Sequence, residues 1–201
     1  MLDDRLRAVC DLQVASVREE CGRHEYDGQV QDLSDAGVAA ALARVGVGAR
    51  RPDPLLEAHL VAFEDAARVR FGELRTHHIN PILHITNLDV SCYDRPYAPL
   101  PRRREARRRH LAAWPDAVDA AVATLDAVPA PIAAALLPVA RGLGAELTAD
   151  DPTEAAALAA LGRFEAHLDR CARDWCSGVL EEHTPMDSHI VGPCRRILRA
   201  D

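Results

Sequence analysis

At 201 residues the chain has room for one domain with a sizeable core, or for two small ones. Its 48% hydrophobic and 27% charged residues are the balance of a soluble globular protein, and a net charge of −7 argues against a general nucleic-acid binder. The start, MLDDRLRAVCDLQVASVREEC, has acids at positions 3 and 4 and no continuous apolar run, so neither a signal peptide nor a membrane span is predicted. A cytoplasmic location is the expectation, with mostly reduced thiols at Cys10, Cys21, Cys92, Cys171, Cys176 and Cys194. All 24 basic residues are Arg, a codon bias that suggests a GC-rich bacterial genome.

Helical signals recur along the chain and strand signals are nearly absent. Leu2 to about Arg23 carries apolar residues at an acceptable helical period. GRHEYDGQVQDLS then reads as a loop ending in a cap, with Ser34 or Asp32 accepting from the amides of a helix that starts near Asp35 and stops at GVGARRPDP. Asp53–Pro54 opens the next helix, with Leu56, Leu60, Phe63, Ala67 and Phe71 along one face to about Arg75. Asn80 caps a short helix with Pro81 in its first position, where a missing N–H does no harm. Its residues Ile82, Leu83, Ile85, Leu88 and Val90 suit burial on most sides.

Helices of about 99–113, 115–127 and 131–144 follow, with Pro115 and Pro131 in first turns and Pro138 expected to kink its helix. In the first of them PRRREARRRHL (Pro101–Leu111) holds six arginines, which spread around the circumference as a solvated face. LTADDPTEAAALAAL presents Asp151 as cap, Pro152 next and Glu154 three residues on, a capping-box pattern for a helix to about Cys176. Leu158, Leu161, Leu168, Ala172 and Trp175 are expected on its core side. The predicted fold is all-α: a single domain over 1–201 of about seven to eight helices, several started by Pro, with 177–201 a less regular tail.

No HExxH, GxGxxG, Walker loop or GxSxG is present. At the C-terminus His167, Cys171, Cys176, His183, His189 and Cys194 are weak candidate zinc ligands. His167 and Cys171 are four apart and share a helix face, whereas Cys171 and Cys176 diverge, and the spacing fits no common zinc module. The stretch THHINPILHITNLDVSCYDRPYAPL (76–100) interrupts a plain sequence with three of the nine histidines and two of the three tyrosines. His77, His78, His84 and Asp94 are candidate acids, bases or ligands, and Asn80, Tyr93, Arg95 and Tyr97 candidate ligand or interface residues. The alternative is a buried junction in which these polar groups satisfy one another.

Three segments carry a resemblance: GRHEYDGQVQDLSDAG (22–37), FEDAARVRFGELRTHHINPILHITNLDVSCYDRPYAPL (63–100) and HLAAWPDAVDAAVATLDAVPAPIAAALLPVARGL (110–143). Together, with their Pro-anchored helices and the NP…YDRPYAP loop, they resemble the N-terminal part of the bacterial domain-of-unknown-function family 885. Members of that family are larger, helical, zincin-like metallopeptidases or hydrolases. The resemblance implies that zinc ligands and the catalytic glutamate would come from a downstream HExxH-type helix, which a chain ending at Asp201 does not have. It therefore assigns no zinc ligand here, and no cofactor is expected for the lobe alone. It implies a helical N-terminal lobe that packs on a metal-bearing C-terminal lobe and forms one wall of a substrate cleft.

Three functions follow. The chain is the N-terminal lobe of such a hydrolase, non-catalytic by itself. Alternatively it is a stand-alone small-molecule enzyme or ligand-binding protein of bacterial specialised metabolism, using His77, His78, His84, Asp94 and Arg95. The third reading is a helical protein-interaction module, docking on a partner or on itself.

Overall fold

A computed structural model describes residues 3–181, with the backbone alone for 174–181. Among the described residues there are ten α-helices, eight of them seven residues or longer, and no strand. They are α1 (Asp4–Cys10), α2 (Val14–Glu19), α3 (Asp35–Leu42), α4 (Pro54–Ala67), α5 (Thr76–Ile79), α6 (Ile82–Leu88), α7 (Leu100–Ala112), α8 (Trp114–Thr124), α9 (Ala130–Gly142) and α10 (Pro152–Glu181). No helix among them is long and apolar enough to cross a membrane.

The helix starts follow the local chemistry expected of them. Ser34 accepts from the Gly37 amide at 3.1 Å, and Asp53 accepts from the amides of Leu55 and Leu56 at 2.8 and 3.2 Å. Asp151 accepts from Thr153 and Glu154 at 2.7 and 3.1 Å, and Asn80 Oδ1 accepts from Ile82 N–H at 3.1 Å. Pro115 and Pro131 lie in first turns, and Pro138 lies inside α9. The Asp151 cap is not a reciprocal box. Glu154 turns instead to the Thr148 amide and to Arg107, at 2.9 and 2.7 Å.

Elsewhere long-range partners override the local pattern. The helix expected over 2–23 breaks between α1 and α2, where Asp11 accepts from the Tyr26 hydroxyl at 2.9 Å and pairs with Arg44 at 3.0 Å. The expected face of α4 is rotated. Leu60, Glu64, Ala67 and Phe71 are buried, whereas Leu56 and Phe63 are exposed. Arg5 causes this: its guanidinium holds Glu64 through two 2.8 Å hydrogen bonds and Glu57 at 3.0 Å, so the helix turns its carboxylates inward. On α10, Leu158 is only half-buried, and Ala157, Ala160, Leu161, Phe164 and Leu168 form the core side. Trp175 lies outside the described side chains. The helix runs on to Glu181, and residues 182–201 of the expected tail lie outside the described residues.

Among the described residues the two largest of four apolar clusters make the main core. The larger joins α6 to α10 around Leu88, Trp114, Val118, Phe164 and Leu168. The smaller joins α1, α3 and the α4 region around Val9, Leu12, Val38 and Phe71. The segment α5–α6 is the seam between them: Ile85 and Leu88 belong to the larger cluster, and Leu83 packs on the smaller one. The interruption at 76–100 begins as this buried junction.

Candidate functional site

The four-residue helix α5 carries His77 and His78 into the seam, where their side chains are 2% and 5% exposed. Arg75, just before it, is the one non-glycine residue with positive φ (44°) among the described residues, a left-handed position that turns the chain sharply into α5. Two carboxylates from distant elements meet the histidines. Asp35, in the first turn of α3, places Oδ1 2.7 Å from His78 Nε2 and 3.6 Å from His77 Nε2. Asp126, just beyond α8, places Oδ1 2.9 Å from His78 Nδ1. The Arg75 guanidinium completes the cluster, 3.3 Å from Asp35 Oδ1 and 2.6 Å from His78 Nε2.

His78 thus bridges two carboxylates, and its hydrogen bonds hold both Asp35 and Asp126 below the usual carboxylate range. His77 differs. Its Nδ1 is buried without a partner, its Nε2 stands beyond hydrogen-bond reach of Asp35, and burial lowers its pKa, assisted by the adjacent His78. The two rings meet edge to face with centroids 4.5 Å apart, and Phe71 covers His77 from the core side at 6.0 Å. His84 sits behind them. Its Nε2–H donates to the His77 carbonyl at 2.9 Å, and burial pushes its pKa down to about 4. With that nitrogen committed to the backbone, His84 positions α5 and is not a ligand of the cluster.

The remaining candidates of 76–100 gather elsewhere. Asp94 and Arg95 are exposed and line separate depressions, so they form no common pocket with the histidines. Arg95 shares a depression of about 220 Å³ with Arg18, His24, Asp27, Cys92 and Tyr97. There Tyr97 donates to Asp27 at 3.0 Å and its ring stacks on His24 at 4.1 Å. Burial pushes the Cys92 thiol up to about 11, which leaves it an inert core group.

Tyr93 is fully inside. Its hydroxyl accepts from Gly28 N–H at 2.8 Å and donates to His110 Nδ1 at 3.1 Å, while His110 Nε2–H donates to the Asn87 carbonyl at 2.9 Å. Gly28 has φ 78°, and a Cβ there would lie 3.1 Å from the Ala106 carbonyl, so the loop needs glycine to reach the hydroxyl. His110 is 0% exposed, and burial with the nearby Arg18 charge lowers its pKa to about 3. It was hidden in the arginine run. The signal that locates it is its place with Ala106 and Leu111 on the inward side of α7, among arginines that face outward or pair.

At the C-terminal candidates, Cys171 Sγ stands 3.6 Å from His167 Nε2, as the shared helix face predicts. That Nε2–H, however, donates to the Leu125 carbonyl at 2.9 Å, which ties the ring to the backbone. The Cys176 side chain, His183, His189 and Cys194 lie outside the described residues. Among the described residues the group with metal-ligand geometry is Asp35, His77 and His78, one donor atom of each lying within 4.8 Å of the others. Sequence reasoning found the histidines and missed Asp35, Asp126 and Arg75. Compared with known protein families, curated proteins and solved structures, the chain finds no match.

Proposed function

We propose that this chain is a helical lobe of a zincin-like hydrolase, non-catalytic by itself, which docks on a metal-bearing second lobe and contributes one wall of a substrate cleft. The resemblance of segments 22–37, 63–100 and 110–143 suggests the family, and one structural observation carries the docking part. Helix α4 is inside out. Its only charges before Asp65 are Glu57 and Glu64, both drawn inward by Arg5. The outward face is left to Leu55, Leu56 and Phe63, exposed by 64%, 48% and 57%. Among the described residues, eight of the eleven exposed large hydrophobics fall between Val47 and Ile79 in the sequence. A helix normally buries large apolar side chains such as these, and their exposure on one helix supports an interaction surface.

The test is sedimentation velocity on the untagged chain beside a Leu55→Glu/Phe63→Glu double variant, with hydrolysis of peptide and ester substrates assayed in parallel. The native chain is expected to self-associate increasingly above micromolar concentration and to hydrolyse nothing. The double variant should sediment as a monomer with unchanged helical circular dichroism. A native chain that stays monomeric throughout, or that hydrolyses substrate alone, overturns the lobe reading.

A further inference from the structure

We propose that Asp35, His77 and His78 bind one divalent transition-metal ion of the zinc type, with Asp126 orienting the His78 ring and Arg75 acting as a competing cation. The site rests on these residues alone and holds whether or not α4 docks.

The donor set suits such an ion. Two imidazoles and one carboxylate are the borderline nitrogen and oxygen ligands that zinc accepts, with a fourth position left to water or a substrate group. In a tetrahedral site with bonds near 2.0 Å, neighbouring ligand atoms lie roughly 3.3 Å apart. The Asp35 Oδ1 distances of 2.7 Å to His78 Nε2 and 3.6 Å to His77 Nε2 straddle that value. Asp35 is 68% exposed at its side chain and opens the cluster to solvent, while the two rings form its buried floor.

Three details point to a ligand rather than to a finished ion-pair network. First, His77 is a buried imidazole without a single hydrogen bond: Nδ1 has no partner, and Nε2 faces Asp35 at a distance too long for one. A buried polar ring left unsatisfied costs stability that the fold does not recover from it. Second, Asp126 takes the Nδ1 proton of His78 at 2.9 Å and orients the ring so that Nε2 faces Asp35 and His77. This carboxylate–histidine arrangement is the usual outer support of a metal-bound imidazole. Third, His78 Nε2 has the Arg75 guanidinium at 2.6 Å and the Asp35 carboxylate at 2.7 Å. The same guanidinium nitrogen lies 3.4 Å from Nδ1, so it approaches the ring off the Nε2 axis and leaves that nitrogen facing Asp35. A positive charge already sits at this corner, half-exposed at its side chain, in the place where an ion between Nε2 and Oδ1 would compete with it.

The experiment is calorimetric titration of Zn²⁺ into the chelator-treated, untagged full chain and four variants, each checked for native helicity. One ion per chain is expected. His77→Leu and His78→Leu should each weaken binding by more than about a hundredfold, since loss of a ligand exceeds loss of its outer partner. Asp126→Asn, nearly isosteric, should weaken it by about ten- to a hundredfold. Arg75→Gly, which tolerates the left-handed backbone, should tighten binding by about tenfold as the competing charge is removed. The proposal is overturned if zinc does not bind, or if it binds with unchanged affinity in both histidine variants, which would place the ion on the C-terminal His/Cys residues.

Discussion

The molecule holds two buried histidine centres that face opposite problems. At His110 both ring nitrogens have compatible partners: Nε2–H donates to the Asn87 carbonyl, Nδ1 has two donors, the Tyr93 hydroxyl at 3.1 Å and Arg18 Nη1 at 3.5 Å, and that hydroxyl accepts from Gly28 N–H. Three separate chain segments are joined through one neutral ring, with nothing left over for a ligand. At His77 and His78 the accounting does not close: His77 Nδ1 is buried without a partner and its Nε2 stands 3.6 Å from Asp35, while the adjacent His78 draws two carboxylates. Burial is nearly equal at the two centres, so burial alone does not separate a structural histidine from a candidate ligand. Satisfaction of the hydrogen bonds does.

That contrast is open to experiment, beginning with the largest effect. His84 and His110 have pKa values of about 4 and about 3 in the folded chain, both lowered by burial. Unfolded, each protonates near 6.5, so below that pH the unfolded state binds more protons and stability falls as pH falls. Between pH 7 and pH 5 the loss should be roughly 2 kcal/mol for each ring, read as a drop in the urea midpoint. A midpoint that does not move over this interval breaks the assignment of neutral, structural rings.

His110→Leu comes next. It strands the Asn87 carbonyl and the Tyr93 hydroxyl proton in a site closed to water, and about 3 kcal/mol of stability at pH 7 should be lost. The same variant should lose the His110 share of the pH dependence, which separates the ring's titration from a simple packing defect. The smallest effect belongs to His77→Leu without metal. Replacing an imidazole that makes no hydrogen bond removes an unsatisfied atom and keeps nearly the same volume, so the urea midpoint should stay level or rise by no more than about 1 kcal/mol equivalent. A loss as large as that of His110→Leu would place both centres in the same structural class.

What the sequence disclosed follows the range of the interactions. Ser34, Asp53 and Asp151 cap helices two or three residues away, and Pro115 and Pro131 act within their own turns, so these starts were readable locally. The outward face of α4 was not, because what turns it is Arg5, 59 residues from Glu64. Nor was the break after α1, made by Tyr26 and Arg44 pulling on Asp11. The same division runs through the candidate site. An unusual pair of histidines stood out by composition, while their carboxylates lie 43 and 48 residues away along the chain. Asp94 and Arg95, adjacent to Tyr93 in sequence, proved to face solvent on another side.

The most direct test of the contrast is thermal unfolding of the native chain and of His77→Leu, each with and without Zn²⁺, at pH 7. His77→Leu without metal is expected to unfold at or above the native temperature, and zinc to raise the midpoint of the native chain alone. Equal zinc shifts in both proteins, or none in either, would contradict it and leave the Asp35–His77–His78 corner as part of the scaffold.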